Sequence, residues 1–305
     1  MTSDQLLTPE ALGFEPVAPG DAPEARTAWR MVVRGQTIEF RRLHALAEMA
    51  PVEELQREAF GATDLDLIPA SELVVVPETG GQVLAASVIE PAGSRRVIAA
   101  GFAWGGFVGG RPRLVSDFLG VRRQARSLGI GGELKRLQAA LAAQDGFAEI
   151  IWTVDPLRAA NARLNFRKLG AYSGVYERDR YGQDFAQSHY GGLPSDRLHL
   201  TWPLGSDRVR RRLRQSSAPT AAPIPEGARL APIPDDIDRL LAADREAALA
   251  WRLRLRDALE SAFADGWVIT GFAPAGGAHE HPALVLERLP TLPDGTPDID
   301  AALAE

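Results

Sequence analysis

Apolar positions along the chain follow two rhythms. Short runs rich in β-branched and aromatic residues recur at 37–43, 72–76, 83–90, 96–104, 114–121, 148–154, 171–178 and 196–204, lengths that suit strands. Between them lie helical stretches: one from about 44 to Phe60, one carrying Leu134, Leu137, Gln138 and Leu141, and one at 157–169 with Gly170 just past its end. The runs at 72–76 and 83–90 read as a hairpin around Glu78-Thr79-Gly80-Gly81. AEIIWTV at 148–154 lacks polar alternation after Glu149, which suits a sheet covered on both faces. Up to Ala143 the predicted order is strand, helix, three strands, a further strand, helix. The fold class is α/β (α+β), a sandwich built on a mixed sheet.

The flanks differ in composition. Residues 1–35 are rich in Pro, Ala and charge and read as an N-terminal extension, partly ordered at best. The Pro/Ala stretch at 215–234 reads as a linker, leaving a main domain at 36–214 and a C-terminal extension at 235–305. The extension carries one apolar stripe, Ile237, Leu240, Leu241, Ala248, Trp251, Leu255, Leu259 and Phe263, on a single helix from Asp235 to Phe263. A strand pair at 267–272 and 283–289 follows. So few elements do not bury a core of their own, so the extension is expected to pack on the main domain or on a homodimer partner.

Composition narrows the chemistry. The 305 residues carry a net charge of −6, which argues against a general nucleic-acid binder. Arg208 to Arg214, RVRRRLR, reads as a solvated helix end or an anchor. The absence of cysteine removes disulfides, thiolate metal sites and any cysteinyl acyl-enzyme. His279 and His281 sit in a glycine-rich turn with no third ligand nearby, so no metal is expected. The start of the chain has no basic-then-apolar leader, and no window has the roughly 20 apolar residues of a bilayer span. A cytoplasmic protein with no membrane partner is expected.

The most informative stretch runs from Arg113 to Ala143. A strand ends at Val121; a loop with Arg122, Arg123 and Arg126 follows; Gly129, Gly131 and Gly132 open the next helix. Glycines there let backbone approach a ligand, and the N–H groups of a first helical turn favour an anion, as does arginine. The elementary reading is a phosphate or diphosphate cradle. Leu134 occupies the third glycine position of a dinucleotide fingerprint, and Glu133 follows Gly132 where a Walker loop needs lysine.

What remains, Arg126-Ser127-Leu128-Gly129-Ile130-Gly131 after a strand, resembles the Arg/Gln-x-x-Gly-x-Gly/Ala acyl-CoA signature of the GNAT superfamily of N-acyltransferases. A second segment, Asp155-Pro-Leu-Arg-Ala-Ala-Asn161 through Asn165-Phe166-Arg-Lys168-Leu-Gly170-Ala171, resembles that superfamily's closing helix. With Trp152-Thr-Val-Asp-Pro, Tyr181-Gly182 and Gly192-Leu-Pro-Ser-Asp196-Arg197, the chain also resembles a poorly characterised bacterial branch, some members of which accompany enzymes of N-acylamino acid metabolism.

The resemblance implies a GNAT fold, with a mostly antiparallel central sheet flanked by helices, and acyl-CoA, acetyl-CoA or succinyl-CoA, as co-substrate. The backbone of Leu119, Gly120 and Val121 would pair with the pantetheine arm, and the strands holding Leu119 and Trp152 would splay to admit it. The N–H groups of Arg126, Ser127, Leu128, Gly129, Ile130 and Gly131, continuing to Gly132, would hold the pyrophosphate with the Arg126 side chain. Asn161 would bond the pantetheine, with Phe166 beside the cofactor. Two positions depart from the pattern. Phe166 replaces the tyrosine that protonates the departing thiolate in many members, and Ser127 replaces a common glycine.

All four tyrosines, Tyr172, Tyr176, Tyr181 and Tyr190, follow this helix, and Tyr181 is the candidate substitute acid, against packing or substrate contact. Without cysteine, the amine would attack the thioester directly in a ternary complex. Asp117, on the cofactor-binding strand, is the candidate base or water holder; a salt bridge or a solvent-facing pleat position is the alternative. Backbone N–H at Leu119 or Gly120 would polarise the carbonyl. For a small amine or amino-acid acceptor, Arg197 is the candidate carboxylate clamp, or else a structural partner of Asp196. The competing class is a non-catalytic acyl-CoA-binding sensor or scaffold, which Phe166 favours.

Overall fold

In the computed structural model, which describes residues 7–18, 27–60, 66–91, 93–182, 191–215, 224–276 and 279–302, the chain is a mixed α/β protein with largely antiparallel sheet flanked by helices. It divides into two compact units, Met1–Ile151 and Trp152–Glu305.

The first unit runs β1 (Glu15–Pro16), β2 (Ala28–Val33), β3 (Gln36–Arg42), α1 (Leu46–Phe60), α2 (Ala70–Leu73), β4 (Gln82–Ile89), β5 (Arg95–Val108), β6 (Arg111–Val121), α3 (Ile130–Gln144) and then the first half of β7 (Glu149–Val154), which crosses the boundary at Ile151. Sheet order follows chain order, and each neighbour is antiparallel until β7, which runs parallel to β6. Met49, Val52 and Leu55 of α1 and Leu73 of α2 pack on one face against Val83, Ala85, Ala100, Phe102 and Phe118. α3 lies on the other face, where the pro-side-chain direction of Gly101 meets Leu119 and Leu134 at 3.6 and 3.7 Å.

Two expectations change in this unit. The run at 72–76 is not a strand: it is α2 and a following turn, bracketed by Pro69 and Pro77. Leu73 and Val76 are buried while Val75 is exposed, a spacing of three that only helical backbone gives a β-branched run. The stretch expected to be a loose N-terminal extension contributes β2, which pairs with β3 from Ala28↔Arg41 to Val33↔Gln36. Ahead of it Phe14 is buried edge-on against Phe40 at 5.1 Å, and Arg136 of α3 donates to the Leu12 carbonyl at 2.9 Å.

The second unit holds α4 (Ala159–Ala162), extended by a π-helical turn at Arg163–Leu169, β8 (Tyr172–Glu177), β9 (Arg197–Pro203), α5 (Asp207–Arg214), β10 (Arg229–Pro232), α6 (Ile237–Ala243), α7 (Arg245–Ala264), β11 (Trp267–Ala273) and β12 (Ala283–Arg288). Its strand order is β9-β8-β11-β12-β10, so the tail adds strands beside β8. Within the expected linker, Arg229–Pro232 is strand β10, paired with β12; residues 216–223 lie outside the described residues. The long tail helix is two helices. Asp244 breaks it in an extended conformation (φ −152°), its side chain accepting from the Ala247 N–H as the N-cap of α7.

Helix α7 is held by buried charge. Arg252 forks onto both oxygens of Asp155 at 2.8 and 2.9 Å. Burial alone pushes the Asp155 carboxyl up, but the Arg252 charge and its hydrogen bond hold it below the usual carboxylate range. One turn on, Arg256 forks onto Asp196, which also accepts from the Tyr176 hydroxyl at 2.6 Å. The RVRRRLR run of α5 is an anchor: Arg208 donates to the Thr270 carbonyl at 2.7 Å, and Arg212 to the carbonyls of Phe166 and Arg167. His281 bonds Asp235 at 3.2 Å and stacks edge-on against Trp251; no group of three metal-ligating residues occurs among the described residues. None of the described helices is long and apolar enough to cross a membrane.

Replacing Arg252 with Met strands the Asp155 carboxylate in the interior. The variant is expected to lose about 3–5 kcal/mol of stability in a denaturant titration at pH 7, and the joint Asp155→Asn/Arg252→Met variant much less.

Candidate functional site

Strand β6 is a long hairpin partner of β5 whose ladder is interrupted once. Phe102 faces Phe118 and Ala103 faces Ser116, so Asp117 has no partner across β5. This is a β-bulge, and it puts two consecutive side chains on one face. Phe118 stacks on Phe102 at 5.3 Å, and Asp117 accepts from the Trp104 indole Nε1 at 3.2 Å, both on the α1 face. Ser116 and Leu119 lie on the α3 face. On its other edge β6 pairs with β7 only at Leu114↔Ile150 and Val115↔Ile151. The strand continues for the six residues Ser116 to Val121 beyond the last of these pairs.

Past Val121 the chain makes a 3-10 turn, Arg123–Leu128, then Gly129 in the left-handed region (φ +82°), then α3. A left-handed residue is needed here to join the turn to the helix, and glycine supplies it without a Cβ penalty. Gly129 is the N-cap of α3 and brings no side-chain cap, while the Gly132 and Glu133 N–H groups donate to its carbonyl at 3.0 and 3.4 Å. Gly131 lets the helix settle on the strand: a Cβ there would meet Val121 at 3.2 Å and Leu119 at 3.7 Å. Leu119, Val121 and Gly131 are thus brought together, with Gly129 exposed beside them.

The loop arginines divide their work. Arg122 is a structural tie, its Nε donating to Val97 O at 2.8 Å and its charge pairing with Glu54 and Glu58 of α1. Arg126 is exposed and folds its Nε back onto Val121 O at 3.2 Å, which leaves Nη1 and Nη2 outside that bond. Glu133 of the first α3 turn pairs with Arg136.

Lys135, Ser116 and Trp104 were missed by sequence reasoning. Lys135, one turn into α3, is 4 % exposed and donates to Ser116 Oγ at 3.0 Å and Gln138 Oε1 at 2.7 Å. Burial pulls its ammonium down from the usual 10.5 to about 7. The signal was present: lysine occurs only at Lys135 and Lys168 in an arginine-rich chain, and Lys135 and Gln138 stand three apart beside the stripe of Leu134, Leu137 and Leu141. Trp104, thirteen positions from Asp117, gave no local signal.

Asn161, Phe166, Tyr181 and Arg197 all lie in the second unit. Asn161 is exposed on α4, while Phe166, at 1 % exposure, is a core side chain of the π-helical turn. Tyr181 and Arg197 come together: the Arg197 guanidinium lies 4.8 Å over the exposed Tyr181 ring, a cation–π contact. Arg197 does not pair with the Asp196 carboxylate; its Nη1 donates to the Asp196 carbonyl at 2.8 Å. The Tyr181 N–H is bonded to Ser195 Oγ. Tyr190 lies outside the described residues, and nothing is described of the Ser127 side chain.

No family model and no curated protein matches the chain. Among solved structures it is similar to an IAA acetyltransferase of Bacillus cereus, at 16% identity over 54% of this chain and 99% of that one, TM-score 0.40. It is similar also to the ribosomal-protein-S18-alanine N-acetyltransferase of Escherichia coli, at 14% identity over 55% of this chain and 94% of that one, TM-score 0.42. A third is a GNAT family acetyltransferase of Elizabethkingia anophelis with acetyl-CoA bound, at 15% identity over 54% and 97%, TM-score 0.40.

Two outcomes follow from this geometry. Gly129→Ala is expected to destabilise the fold by about 1–2 kcal/mol in a denaturant titration, because the left-handed backbone then carries a Cβ. Lys135 binds fewer protons folded than unfolded between pH 7 and about 10.5, so the native protein gains stability as pH rises through that window. Lys135→Met abolishes this term. The stability advantage of the variant over the unmodified chain should therefore be greatest at pH 7 and shrink by up to about 1.4 kcal/mol per pH unit toward pH 10.

Proposed function

We propose that the chain is an acyl-CoA-dependent N-acyltransferase of the GNAT type, moving an acetyl or succinyl group to the amine of a small molecule, an amino acid among the candidate acceptors. The observation that carries this reading is β6 itself: a bulged strand whose second edge runs on beyond its last pair with β7 and leads through Gly129 into the uncapped N-terminus of α3. An extended pantetheine arm adds to such an edge as a strand would, and a diphosphate suits the glycine turn and helix start. A Cβ built on Gly129 meets nothing within 4 Å, so the approach to the turn is open.

In this reading the N–H groups from Arg126 to Gly131 and the Arg126 side chain take the diphosphate. Leu119, Gly120 and Val121 present backbone to the arm. The acceptor nitrogen attacks the thioester carbonyl carbon, the C–S bond breaks, and an amide forms. Asp117, directly or through a water, takes the proton the amine gives up. The leaving sulfur takes a proton from Tyr181, whose ring Arg197 holds from one face. Arg197 also supplies positive charge for an acceptor carboxylate. The buried Phe166 supports a second reading, a non-catalytic acyl-CoA sensor, because it puts an apolar ring where an acid is expected.

Free-thiol release from acetyl-CoA and succinyl-CoA, followed against D- and L-amino acids and simple amines, tests the proposal. Release is expected to depend on the acceptor and to vanish in a Gly129→Asp/Gly131→Asp variant, whose carboxylates repel the diphosphate. Arg197→Ala is expected to raise the acceptor KM about tenfold or more with CoA affinity kept. CoA binding without release in any pairing would establish the sensor instead.

A further inference from the structure

The connection from β8 to β9 leaves the sheet at the pair Glu177↔Arg197, and its two ends are fastened to each other at once. Asp179 stands in the left-handed region at φ +42°, where a Cβ is strained and glycine would be easy. What aspartate adds there is a carboxylate. Its Oδ1 accepts from the Ser195 N–H at 3.0 Å and from the Ser195 hydroxyl at 3.1 Å. The Asp179 N–H donates in return to Asp196 Oδ1 at 2.9 Å, and the Gly182 N–H closes a tight turn onto the Asp179 carbonyl at 3.1 Å. These bonds hold a strained residue in place.

The clasp is built in the interior. Ser195 and Asp196 are fully buried, and Asp196 also takes both prongs of Arg256 and the Tyr176 hydroxyl, so the far side of the clasp is tied to α7 and β8. Its near side ends on Tyr181. Ser195 Oγ gives its proton to the Asp179 carboxylate and accepts from the Tyr181 N–H at 2.9 Å, which fixes the Tyr181 backbone. The Tyr181 ring is 44 % exposed, with the Arg197 and Arg180 guanidiniums 4.8 and 5.6 Å from its centroid. A buried network thus carries an exposed phenol. A turn that only reversed the chain would need neither a carboxylate at 179 nor a hydroxyl at 195.

We propose that Asp179 is a positioning residue of acyl transfer: through Ser195 it sets where the Tyr181 hydroxyl stands. The inference rests on the reading of Tyr181 as the acid that protonates the leaving sulfur. An acid delivers its proton in the transition state only from a narrow range of positions, so loss of the clasp is felt in kcat. CoA binding is left alone, because neither Asp179 nor Ser195 belongs to β6 or to the glycine turn that follows it.

The test follows thiol release, CoA binding by calorimetry, melting temperature and hydrogen exchange at the Tyr181 amide. The variants are Asp179→Gly, Asp179→Asn, Ser195→Ala, Tyr181→Phe and the double variant Asp179→Gly/Tyr181→Phe. Glycine keeps the left-handed backbone and removes only the carboxylate, whereas asparagine also adopts that backbone and keeps an acceptor oxygen. Asp179→Gly and Ser195→Ala are each expected to lower kcat about tenfold, no further than Tyr181→Phe does, with CoA affinity kept within about threefold. Both should quicken exchange at the Tyr181 amide. Asp179→Asn should recover turnover to within about threefold of the unmodified protein. In the Tyr181→Phe background Asp179→Gly should cost no further turnover, because the ring it positions no longer carries a proton to give. A residue kept only for stability would slow that background as well.

Full turnover in a folded Asp179→Gly or Ser195→Ala variant overturns the proposal, and Ser195→Ala keeps the turn and its carboxylate should Asp179→Gly fail to fold. Losses that multiply in the double variant overturn it too, as does an Asp179→Asn no faster than Asp179→Gly. An unmodified protein that releases no thiol removes the acyltransferase reading and this one with it. A Tyr181→Phe variant with full turnover removes Tyr181 as the acid, and with it the role of Asp179. A slow Tyr181→Phe beside fully active clasp variants removes the role of Asp179 alone.

Discussion

The close seat of α3 on β6 is the constraint on which the first unit's candidate site depends. A strand edge and a helix N-terminus take the two ends of an extended ligand only if they stand in a fixed relation. Here that relation is set by Leu119 and Val121 packing where Gly131 has no side chain, and by Gly129 turning the backbone through the left-handed region. Both glycines are there for geometry. Each marks a place where a Cβ would move the helix away or twist it out of line. The hydrophobic stripe of α3 then supplies the adhesion and the glycines supply the alignment.

Both units bury charge, and the pairing of Glu133 with Arg136 in the first has its counterpart in the second. In the second, Arg252 and Asp155 satisfy each other by a two-pronged bond, and Arg256, Asp196 and Tyr176 form a neighbouring set that fastens α7 to β8 and β9. Removing one partner there leaves a charge with nowhere to go. In the first, Lys135 donates to Ser116 Oγ and Gln138 Oε1, and burial pulls its ammonium down to about 7. Paired charge locks elements together, whereas a hydrogen bond between uncharged groups is a weaker hold.

Much of this was legible in the residues, because local rules and tertiary packing agree over most of the chain. The strand that ends at Val121, the glycine turn and the helix stripe were all visible at their proper positions, as were the last helix and its Gly170 cap. The exceptions have distinct causes. Val74, Val75 and Val76 have strand propensity, yet two prolines and a buried Leu73 make them a helix and turn. Asp244 looked like one more polar position on a long helix, and only its extended backbone shows it to be a cap. The Trp104–Asp117 and Lys135–Ser116 bonds join residues 13 and 19 positions apart, which no periodicity reports. The run holding Arg208 and Arg212 reads as a solvated helix end or an anchor, and only the structure shows which carbonyls it holds.

The bulge at Asp117 has a consequence for how β6 tolerates change. Alternation along a strand normally assigns every second residue to one face from end to end. In β6 the phase resets once, so 111–116 and 118–121 follow separate alternations, although both halves pair with β5. A one-residue deletion at the bulge would merge the two phases into one unbroken alternation, keeping Ser116 and Leu119 on the α3 face and removing the Asp117 carboxylate from the strand.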